Sequence, residues 1–240
     1  MTTDGTKRDG PGVRADSPTT RSGSDHLDME DRFVHAIVLV TDLQTAGRHV
    51  EELGLTVLDG GRHPGRGTAN LIVPLGLQYL ELLAVVDEEE ALSSPQGRPV
   101  VSALSARGPG LARWSVESSD IEATARRVGH RIERRHRLLP DGTAVRWRSV
   151  AVDTAWAEPW RCAFMTWDDP ETHPARTPVV HRSGATGFAS LRVVVPDISA
   201  ALAWFGGQAP PGVVVEVGTE PGVTNLVLSS GRDEIPIAQF

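Results

Sequence analysis

The sequence predicts an α+β fold built from a repeated unit of one strand, one helix and three further strands. Two observations predict this fold class. The same opening occurs three times, as "FVHAIVLVTDL" from Phe33, "LARWSVESSDI" from Leu111 and "FASLRVVVPDI" from Phe188. After each opening, the spacing of the apolar residues changes from the period of a helix to the alternation of strands. A repeat of this kind indicates one structural unit present in three copies.

Each opening predicts a strand followed by a helix. The apolar stretch ends at an aspartate, and Asp42, Asp120 and Asp197 lie 78 and 77 residues apart. Aspartate is a preferred residue at a helix N-cap, because its carboxylate accepts a hydrogen bond from the first turn. The predicted helices are "LQTAGRHVEEL", "IEATARRV" and "ISAALAWF". The glycines expected at their C-terminal ends are Gly54, Gly129 and Gly206.

Three alternating segments follow each predicted helix. In copy one they are "LTVLD", "ANLIVPL" and "QYLELLAVV", and in copy two "RIERRHRLL", "AVRWRSVAV" and "RCAFMTW". Copy three gives "GVVVEV", "TNLVLSS" and "IPIAQF" with shorter connections. Alternation of apolar and polar residues is typical of strands with one buried face.

The composition narrows the class of protein. Residues 1–30 are rich in Gly, Ser, Thr, Asp and Arg, which predicts a disordered tail. The net charge of -7 argues against a nucleic-acid partner. No apolar run is long enough to span a membrane or to act as a signal peptide, so we expect a cytoplasmic protein without a membrane partner. The single cysteine, Cys162, fits a reducing compartment and a place in the core.

Four segments together resemble a known family. They are "VHAIVLVTDL" (34–43), "GGRHPGRGTAN" (60–70), "YLELLAV" (79–85) and "FMTWDDPETHP" (164–174). The chain is similar over about residues 32–176 to the glyoxalase-like domain proteins of the vicinal oxygen chelate superfamily. The resemblance implies that residues 31–176 form one domain, in which two βαβββ modules pair into a cup-shaped mixed sheet. Residues 177–240 would then be a third, shortened module.

The resemblance also implies that metal ligands, where present, come from the first and last strands of each module. In copy one, His35 is the polar member of a row with Phe33, Ile37 and Leu39, and Glu81 stands alone among apolar residues in the last strand. Histidine and glutamate suit a divalent first-row metal, with His63 as a third ligand. The alternative is a buried hydrogen bond between His35 and Glu81 that only joins two strands.

Copy two lacks the matching ligands. Alignment of the openings puts Arg113 opposite His35, and alignment of the last strands puts Thr166 opposite Glu81. Two interpretations stay open. In one, Arg113 points into the cup, neutralises Glu81 and binds an anionic or carbonyl-bearing ligand without a metal. In the other, the strand is shifted by one residue, Trp114 lines the cup, and His35, Glu81 and a loop histidine hold the metal.

The segment "GGRHPGRGT" predicts a loop over the mouth of the cup, since glycine permits turns and Pro64 restricts His63. There His63 is a candidate metal ligand or general acid-base, and Glu81 is the second candidate catalytic residue. The candidate substrate-binding residues are Arg113, Thr166, Asn70 and His173. For Asn70 the alternative is a turn cap, with a side chain that only bonds the backbone.

Two functions follow from these residues and the resemblance. The first is a glyoxalase-like enzyme of the lyase or isomerase type that acts on an oxygen-bearing small molecule. A divalent metal would assist it if one binds, and no organic cofactor is expected. The second is a binding or resistance protein of the same fold that holds a small molecule without reaction. The odd third module suggests either a cap on an exposed sheet edge or a homodimer contact.

Overall fold

The computed structural model of the protein describes residue 1 and residues 31–138, 144–231 and 233–237. Apart from Met1, the predicted tail lies outside the described residues. Copy one contains β1 (Arg32–Leu39), α1 (Leu43–Glu52), β2 (Leu58–His63), β3 (Thr68–Leu75) and β4 (Gln78–Val85). Helices α2 (Glu88–Ser93) and α3 (Arg98–Arg107) connect it to the next copy. The sequence patterns did not predict these two helices.

Copy two contains β5 (Gly110–Glu117), α4 (Ile121–Val128), β6 (Glu133–Leu138), β7 (Ala144–Val150), α5 (Val152–Ala157) and β8 (Ala163–Trp167). Two short 3-10 turns follow, Pro170–Thr172 and Pro174–Arg176. Copy three contains β9 (Gly187–Val195), α6 (Ile198–Phe205), β10 (Val213–Val217), β11 (Gly222–Ser229) and β12 (Glu234–Ile237). The predicted order of one strand, one helix and three strands is therefore confirmed in copies one and three, and copy two has it with an added helix, α5, before its last strand.

The three predicted N-caps are also confirmed. The carboxylate of Asp42 accepts a hydrogen bond from the backbone N–H of Thr45 at 2.7 Å. Asp120 and Asp197 accept the equivalent bonds at 2.8 and 2.7 Å. Each bond satisfies an N–H that has no partner within the first helical turn. The same local chemistry thus starts the same helix three times.

Copies one and two form one sheet of eight strands, in the order β2-β3-β4-β1-β5-β8-β7-β6. Within each copy the first strand pairs in parallel with the last, and the copies join where β1 and β5 pair antiparallel. The sheet curls, because residues of β2 and β6, at its opposite edges, line the same cavity. This arrangement confirms the predicted cup-shaped mixed sheet.

Copy three has the same order of elements along the chain but a different sheet. Its four strands lie in the order β10-β9-β11-β12, so that β9 is between a parallel β10 and an antiparallel β11. In the other copies the first strand instead pairs with the last. Copy three therefore does not form a half-cup like those of copies one and two.

The two faces of the large sheet have different partners. We call the face that lines the cavity the cavity face, and the other the core face. One buried core joins core-face residues such as Val38 and Trp114 to Leu191 and Leu226 of copy three. Helices α1, α4 and α6 contribute to the same core. Copy three thus covers a face of the sheet, a position different from the sheet edge and the second chain expected from the sequence.

A β-bulge changes the predicted face of one residue. The pairing of β1 with β5 is irregular between Phe33 and His35, which leaves one residue extra on β1. Phe33 consequently leaves the cavity row and enters the core, where its ring stacks on Phe188 at 4.6 Å. His35 and Ile37 keep their predicted place on the cavity face.

The predicted mouth loop is shorter than its sequence suggested. Strand β2 runs to His63, and β3 begins at Thr68, so only residues 64–67 form the turn. The glycines of this segment did not prevent strand pairing, because Gly61 adopts its positive φ of 85° at an irregular point of the β2 and β3 ladder. No helix in the described part of the chain is long and apolar enough to span a membrane.

Candidate functional site

A cavity of about 570 Å³ lies on the cavity face of the eight-stranded sheet. This volume is within the range of small-molecule sites. At one end, α3 and α5 pack Val100 and Trp156 against Ile37 and Leu83 of the sheet. A second apolar cluster, which includes Ile72, Tyr79 and Trp167, borders the site. Apolar clusters therefore border the polar side chains of the cavity.

A buried carboxylate with two donors forms the centre of the cavity wall. Oε2 of Glu81 lies 2.8 Å from Nε2 of His35, and Oε1 accepts a hydrogen bond from Nδ2 of Asn70 at 2.7 Å. All three residues are buried and line the cavity. The pattern that singled out His35 and Glu81 thus located a real polar centre, and Asn70 belongs to it rather than to a turn cap.

The protonation of this group follows from its contacts. Burial by itself raises the pKa of Glu81, but the hydrogen bond from His35, the charge of His63 and the hydrogen bond from Asn70 outweigh burial. The net effect holds the pKa of Glu81 well below its usual value. Burial lowers the pKa of His35, and Glu81 offsets this only in part. We therefore assign an ionised Glu81 and a neutral His35 that donates its Nε2–H to the carboxylate.

Glycine at position 60 makes room for this group. A Cβ atom at Gly60 would lie 2.1 Å from Oδ1 of Asn70, which is shorter than any permitted contact. Gly67, with a φ of 64°, similarly lies against the backbone of α2, where a Cβ would be 2.1 Å from the carbonyl oxygen of Asp87. Gly60 therefore leaves space for the Asn70 side chain, and Gly67 allows the turn to pack against α2. This is the structural reason for the glycine-rich segment.

His63 is the last residue of β2 and lines the cavity at its rim. Its Nδ1 lies 2.9 Å from Oγ1 of Thr68, the first residue of β3. His63 and Glu81 line the same cavity, and the charge of His63 contributes to the low pKa of Glu81. A strand end, rather than a loop, therefore positions this histidine.

Arg113 lines the cavity, and its neighbour Trp114 is fully buried on the core face. The orientation matches the first of the two interpretations and contradicts the second. The guanidinium stacks over the ring of Trp156 at 5.0 Å. Burial lowers the pKa of Arg113 to about 10, so it remains a cation at neutral pH. The expected ion pair with Glu81 is not formed, since Arg113 has no ion pair with any described residue.

Strand register shows which residues of copy two correspond to His35 and Glu81. Ile37 pairs with Glu81 in copy one, and its equivalent Ser115 pairs with Ala163 in copy two. Ala163, and not Thr166, therefore stands in the position of Glu81. Thr166 lies between two residues of the cavity face, Met165 and Trp167, and does not line the cavity. Alignment by sequence placed it three residues out of register.

The donor set does not fit a divalent metal. Copy one offers His35 and Glu81, but the equivalent residues of copy two are Arg113 and Ala163, which have no electron pair to donate. Both oxygens of Glu81 already accept hydrogen bonds. Among the described residues, no three or more His, Cys, Asp or Glu side chains are grouped so as to hold a metal ion. The expected metal trio of His35, Glu81 and His63 is therefore not formed.

His173 lies behind the cavity wall rather than at the mouth. Its ring contacts the rings of Tyr79 and Trp167 edge-on, at 5.6 and 4.9 Å between centroids. Nδ1 accepts a hydrogen bond from the backbone N–H of Ala175. Burial, together with nearby positive charge, lowers the pKa of His173 to about 4. It is a neutral, buried ring that supports Tyr79, which in turn stacks on His35 at 4.1 Å.

Several residues of the cavity were not singled out from the sequence. Arg66, in the turn after β2, and Arg135, on β6, both line it. Arg135 pairs across the ladder with Trp147, so alternation along β6 and β7 could have placed both on one face. The tryptophans that line the cavity are Trp147, Trp156 and Trp167. Trp160, in contrast, lies in the main core.

Buried polar atoms that lack a partner are concentrated at this site. Within the described ranges they are His35 Nδ1, Asn70 Oδ1, Arg113 Nε, Trp114 Nε1, Trp167 Nε1 and His173 Nε2. All except the Trp114 atom belong to residues that line the cavity or contact its wall. Buried polar atoms normally have partners, so such a concentration is typical of a functional site.

Solved structures of other proteins resemble this chain to different degrees. A crystal structure of a hypothetical protein from Staphylococcus aureus is similar, with 14% identity and a TM-score of 0.60 over 80% of this chain and 88% of that one. Methylmalonyl-CoA epimerase from Mycobacterium tuberculosis matches with 20% identity and a TM-score of 0.40 over 57% and 86% of the two chains. A hypothetical protein from Bacillus halodurans matches with 17% identity and a TM-score of 0.40, over 58% of this chain and 94% of that one. No curated protein sequence matches the chain.

The sequence itself matches a family model. The model, described as a glyoxalase-like domain, covers residues 33–208. The match therefore includes copies one and two, with the whole cavity, and extends into the first strand and helix of copy three. Together with the paired βαβββ modules of the curled sheet, it shows that the chain belongs to the glyoxalase-like domain family of the vicinal oxygen chelate superfamily.

Proposed function

We propose that this protein is a glyoxalase-like enzyme of the isomerase or lyase type, which moves a proton on an oxygen-bearing small molecule in the cavity. One observation carries the proposal. The ionised Glu81, fixed by His35 and Asn70, faces the same cavity as the half-buried guanidinium of Arg113 and the imidazole of His63. A fixed anion, a fixed cation and a proton carrier in one enclosure are the groups that proton transfer requires.

Arg113 supplies the positive charge of the proposed site. Loss of a proton next to a carbonyl group leaves negative charge on the carbonyl oxygen, which a donor already in place can stabilise. The stack on Trp156 holds the guanidinium in position before the ligand arrives. In this proposal Arg113 stabilises this negative charge, which in a site with suitable ligands a metal ion would stabilise.

His63 carries the proton, and Glu81 remains ionised. An imidazole takes up and releases protons near neutral pH, and the bond to Thr68 fixes the ring of His63 at the cavity rim. The pKa of Glu81 lies well below its usual value, so its carboxylate is a weak base at neutral pH. Glu81 therefore contributes a fixed negative charge to the site and does not accept the proton.

A second candidate function is a binding protein that holds the ligand without reaction. The observation in its favour is that both oxygens of Glu81 are already hydrogen-bonded, which leaves His63 as the one group in this arrangement proposed to move a proton. A site of this kind could retain a small molecule by shape and charge alone.

The two functions differ in whether a bound molecule exchanges protons with solvent. We would select ligands from a panel of 2-oxo and 2-hydroxy acids by thermal shift, and incubate each with the protein in D2O. Proton NMR then follows the signal of the hydrogen on C3 of each 2-oxo acid or on C2 of each 2-hydroxy acid, since these carbons are next to a carbonyl or carboxyl group. The enzyme hypothesis expects this signal to disappear at a rate proportional to protein concentration.

Variants assign the exchange to the site. His63→Gln should retain binding and lose exchange at least 100-fold, within the range for removal of a general acid-base. His49→Gln, on the exposed side of α1, should behave as the wild type. Ligands that bind without exchange in the wild type would establish the binding protein instead. Exchange that survives His63→Gln would remove His63 from the mechanism.

A further inference from the structure

We infer that the ligand is an organic anion, whose carboxylate or phosphate group is held by Arg66 and Arg113 and whose body is apolar or aromatic. The inference deepens the proposed function, since it places this ligand in the same cavity. It names a class of ligand through the charges and surfaces that the cavity presents.

The positive charges at the cavity are only partly neutralised by the protein. Arg62 pairs with Asp87 and Glu90, at 3.1 and 2.7 Å. Arg135 pairs with Glu133 at 2.6 Å. These three ion pairs occupy the acidic side chains at the start of α2 and on β6.

Arg66 and Arg113, in contrast, form no ion pair with any residue that the structure describes. Both are partly buried, and Nε of Arg113 has no hydrogen-bond partner among those residues. A guanidinium withdrawn from water without an anion is unfavourable, and a bound anion would remove that cost. Two such cations in one cavity indicate a site for an anionic group.

The guanidinium groups also act on one another. Burial lowers the pKa of both Arg66 and Arg113, and the positive charge of Arg135 lowers both further. The charge of Glu81 acts on both in the opposite direction. All three arginines line the same cavity. Glu81 and the exposed Asp153 are the acidic residues that line the same cavity, and Glu81 is already engaged by His35 and Asn70.

The rest of the wall suits an apolar body. Trp147 and Trp167 lie 5.4 Å apart, between ring centroids, and line the cavity with Met165 and Ile72. Aromatic faces and a thioether bind flat or hydrophobic groups well. A volume of about 570 Å³ exceeds what a simple inorganic anion needs, so the anionic group is part of a larger molecule.

Three probes with the same ring and different head groups test the inference. Phenyl phosphate, benzoate and benzamide would be titrated into the full chain by calorimetry, at constant ionic strength maintained with sodium chloride. We expect at least one of the two anions to bind at least tenfold more tightly than the neutral amide. Tighter binding of phenyl phosphate would indicate a phosphate ester, and tighter binding of benzoate a carboxylic acid.

Variants connect the preference to the two arginines. Arg66→Gln and Arg113→Gln should each weaken binding of the preferred anion about tenfold, as expected for loss of a charge-assisted hydrogen bond. Arg113→Lys should recover part of that loss, because it keeps the charge. The matched control is Arg134→Gln, which changes an exposed arginine next to Arg135. Circular dichroism would verify that each variant is folded.

Other results would overturn the inference. Equal affinity for benzamide and the anions would show that charge plays no part, and no binding of either anion would remove the anion site altogether. An Arg134→Gln effect as large as that of Arg113→Gln would reduce the site to general surface charge. Failure of proton exchange in D2O leaves this result untouched, so the anion site and the enzyme hypothesis can fail separately.

Discussion

At the scale of single residues, the cavity is defined by polar side chains that interrupt apolar rows. His35 and Glu81 could be identified from the sequence because each is the polar member of an alternating strand face. Arg113 could be placed because the aspartate caps fix the offset between the copies. Arg66 could not be placed in this way, because the side chains of a turn do not follow the alternation of a strand or the period of a helix. The bond between Asn70 and Glu81 depends on pairing across strands, which a single sequence does not state.

His173 gives a prediction about pH. Its pKa falls from the usual value of 6.5 to about 4 on folding, so the unfolded chain binds a proton first as the pH decreases. The contribution of His173 to stability is therefore complete above pH 6.5 and is lost as the pH falls towards 4, by about 3 kcal/mol. Chemical denaturation at pH 7 and pH 4 measures this loss.

The variant His173→Asn should reduce the difference in unfolding free energy between the two pH values by about 3 kcal/mol. Asparagine is chosen because its Oδ1 can accept the bond from the backbone N–H of Ala175. His130→Asn, which changes an exposed histidine, is the control and should leave the difference unchanged. An unchanged difference in His173→Asn would mean that the ring titrates normally in the folded protein.

At the scale of elements, the repeat predicted the strands and helices better than their pairing. The openings, caps and most strands follow from local sequence, and all three copies have them. The predicted position of β2 was wrong. The segment "LTVLD" has the stronger apolar pattern, but the strand that pairs with β3 is Leu58–His63. Helices α2 and α3 lie between copies, where the repeat gives no guide. The sheet of copy three follows from packing against the large sheet.

Strand register leads to a prediction about metal binding. Arg113 and Ala163 occupy the positions in copy two that correspond to His35 and Glu81. The double variant Arg113→His with Ala163→Glu should therefore create a divalent metal site that the wild type lacks. Zinc at a thousandfold excess over its dissociation constant would stabilise the double variant by about 4 kcal/mol.

Thermal unfolding with and without zinc measures this effect. Zinc should not shift the unfolding temperature of the wild type. Each single variant should show a smaller shift than the double variant, because each supplies only one added ligand. The pair Arg113→His with Thr166→Glu is the matched control, since Thr166 does not line the cavity. An equal zinc shift in the wild type would contradict the assignment of register and of the donor set.

At the scale of the whole molecule, three copies share one core. Gln78 connects two of them directly: its Nε2 donates to the carbonyl of Phe33, and its Oε1 accepts from the backbone N–H of Phe188. Nε1 of Trp204, in α6, donates to the carbonyl of Cys162. Contacts of this kind join copy three to the cup, so the boundary proposed between residues 176 and 177 separates sequence repeats that pack together. A homodimer remains a proposal.

The shared core predicts a single unfolding transition. Leu191→Ala removes a fully buried side chain of copy three and should cost about 2–5 kcal/mol. Calorimetry should show one transition that moves to lower temperature as a whole. Leu92→Ala, at a half-exposed position of α2, should cost less than about 0.5 kcal/mol. Two separate transitions in Leu191→Ala would show that copy three unfolds independently.

The central strand β1 is enclosed on every side. It has a neighbouring strand along each edge, the cavity on one face and the shared core on the other, and seven of its eight residues are buried. Its amide hydrogens can therefore exchange with solvent only when much of the molecule opens. The strand that holds His35 would be the slowest part of the chain to take up deuterium. Its exchange rate would report the opening of the entire fold. The stabilising effect of a ligand could therefore be measured at this strand without a label attached to the protein or to the ligand.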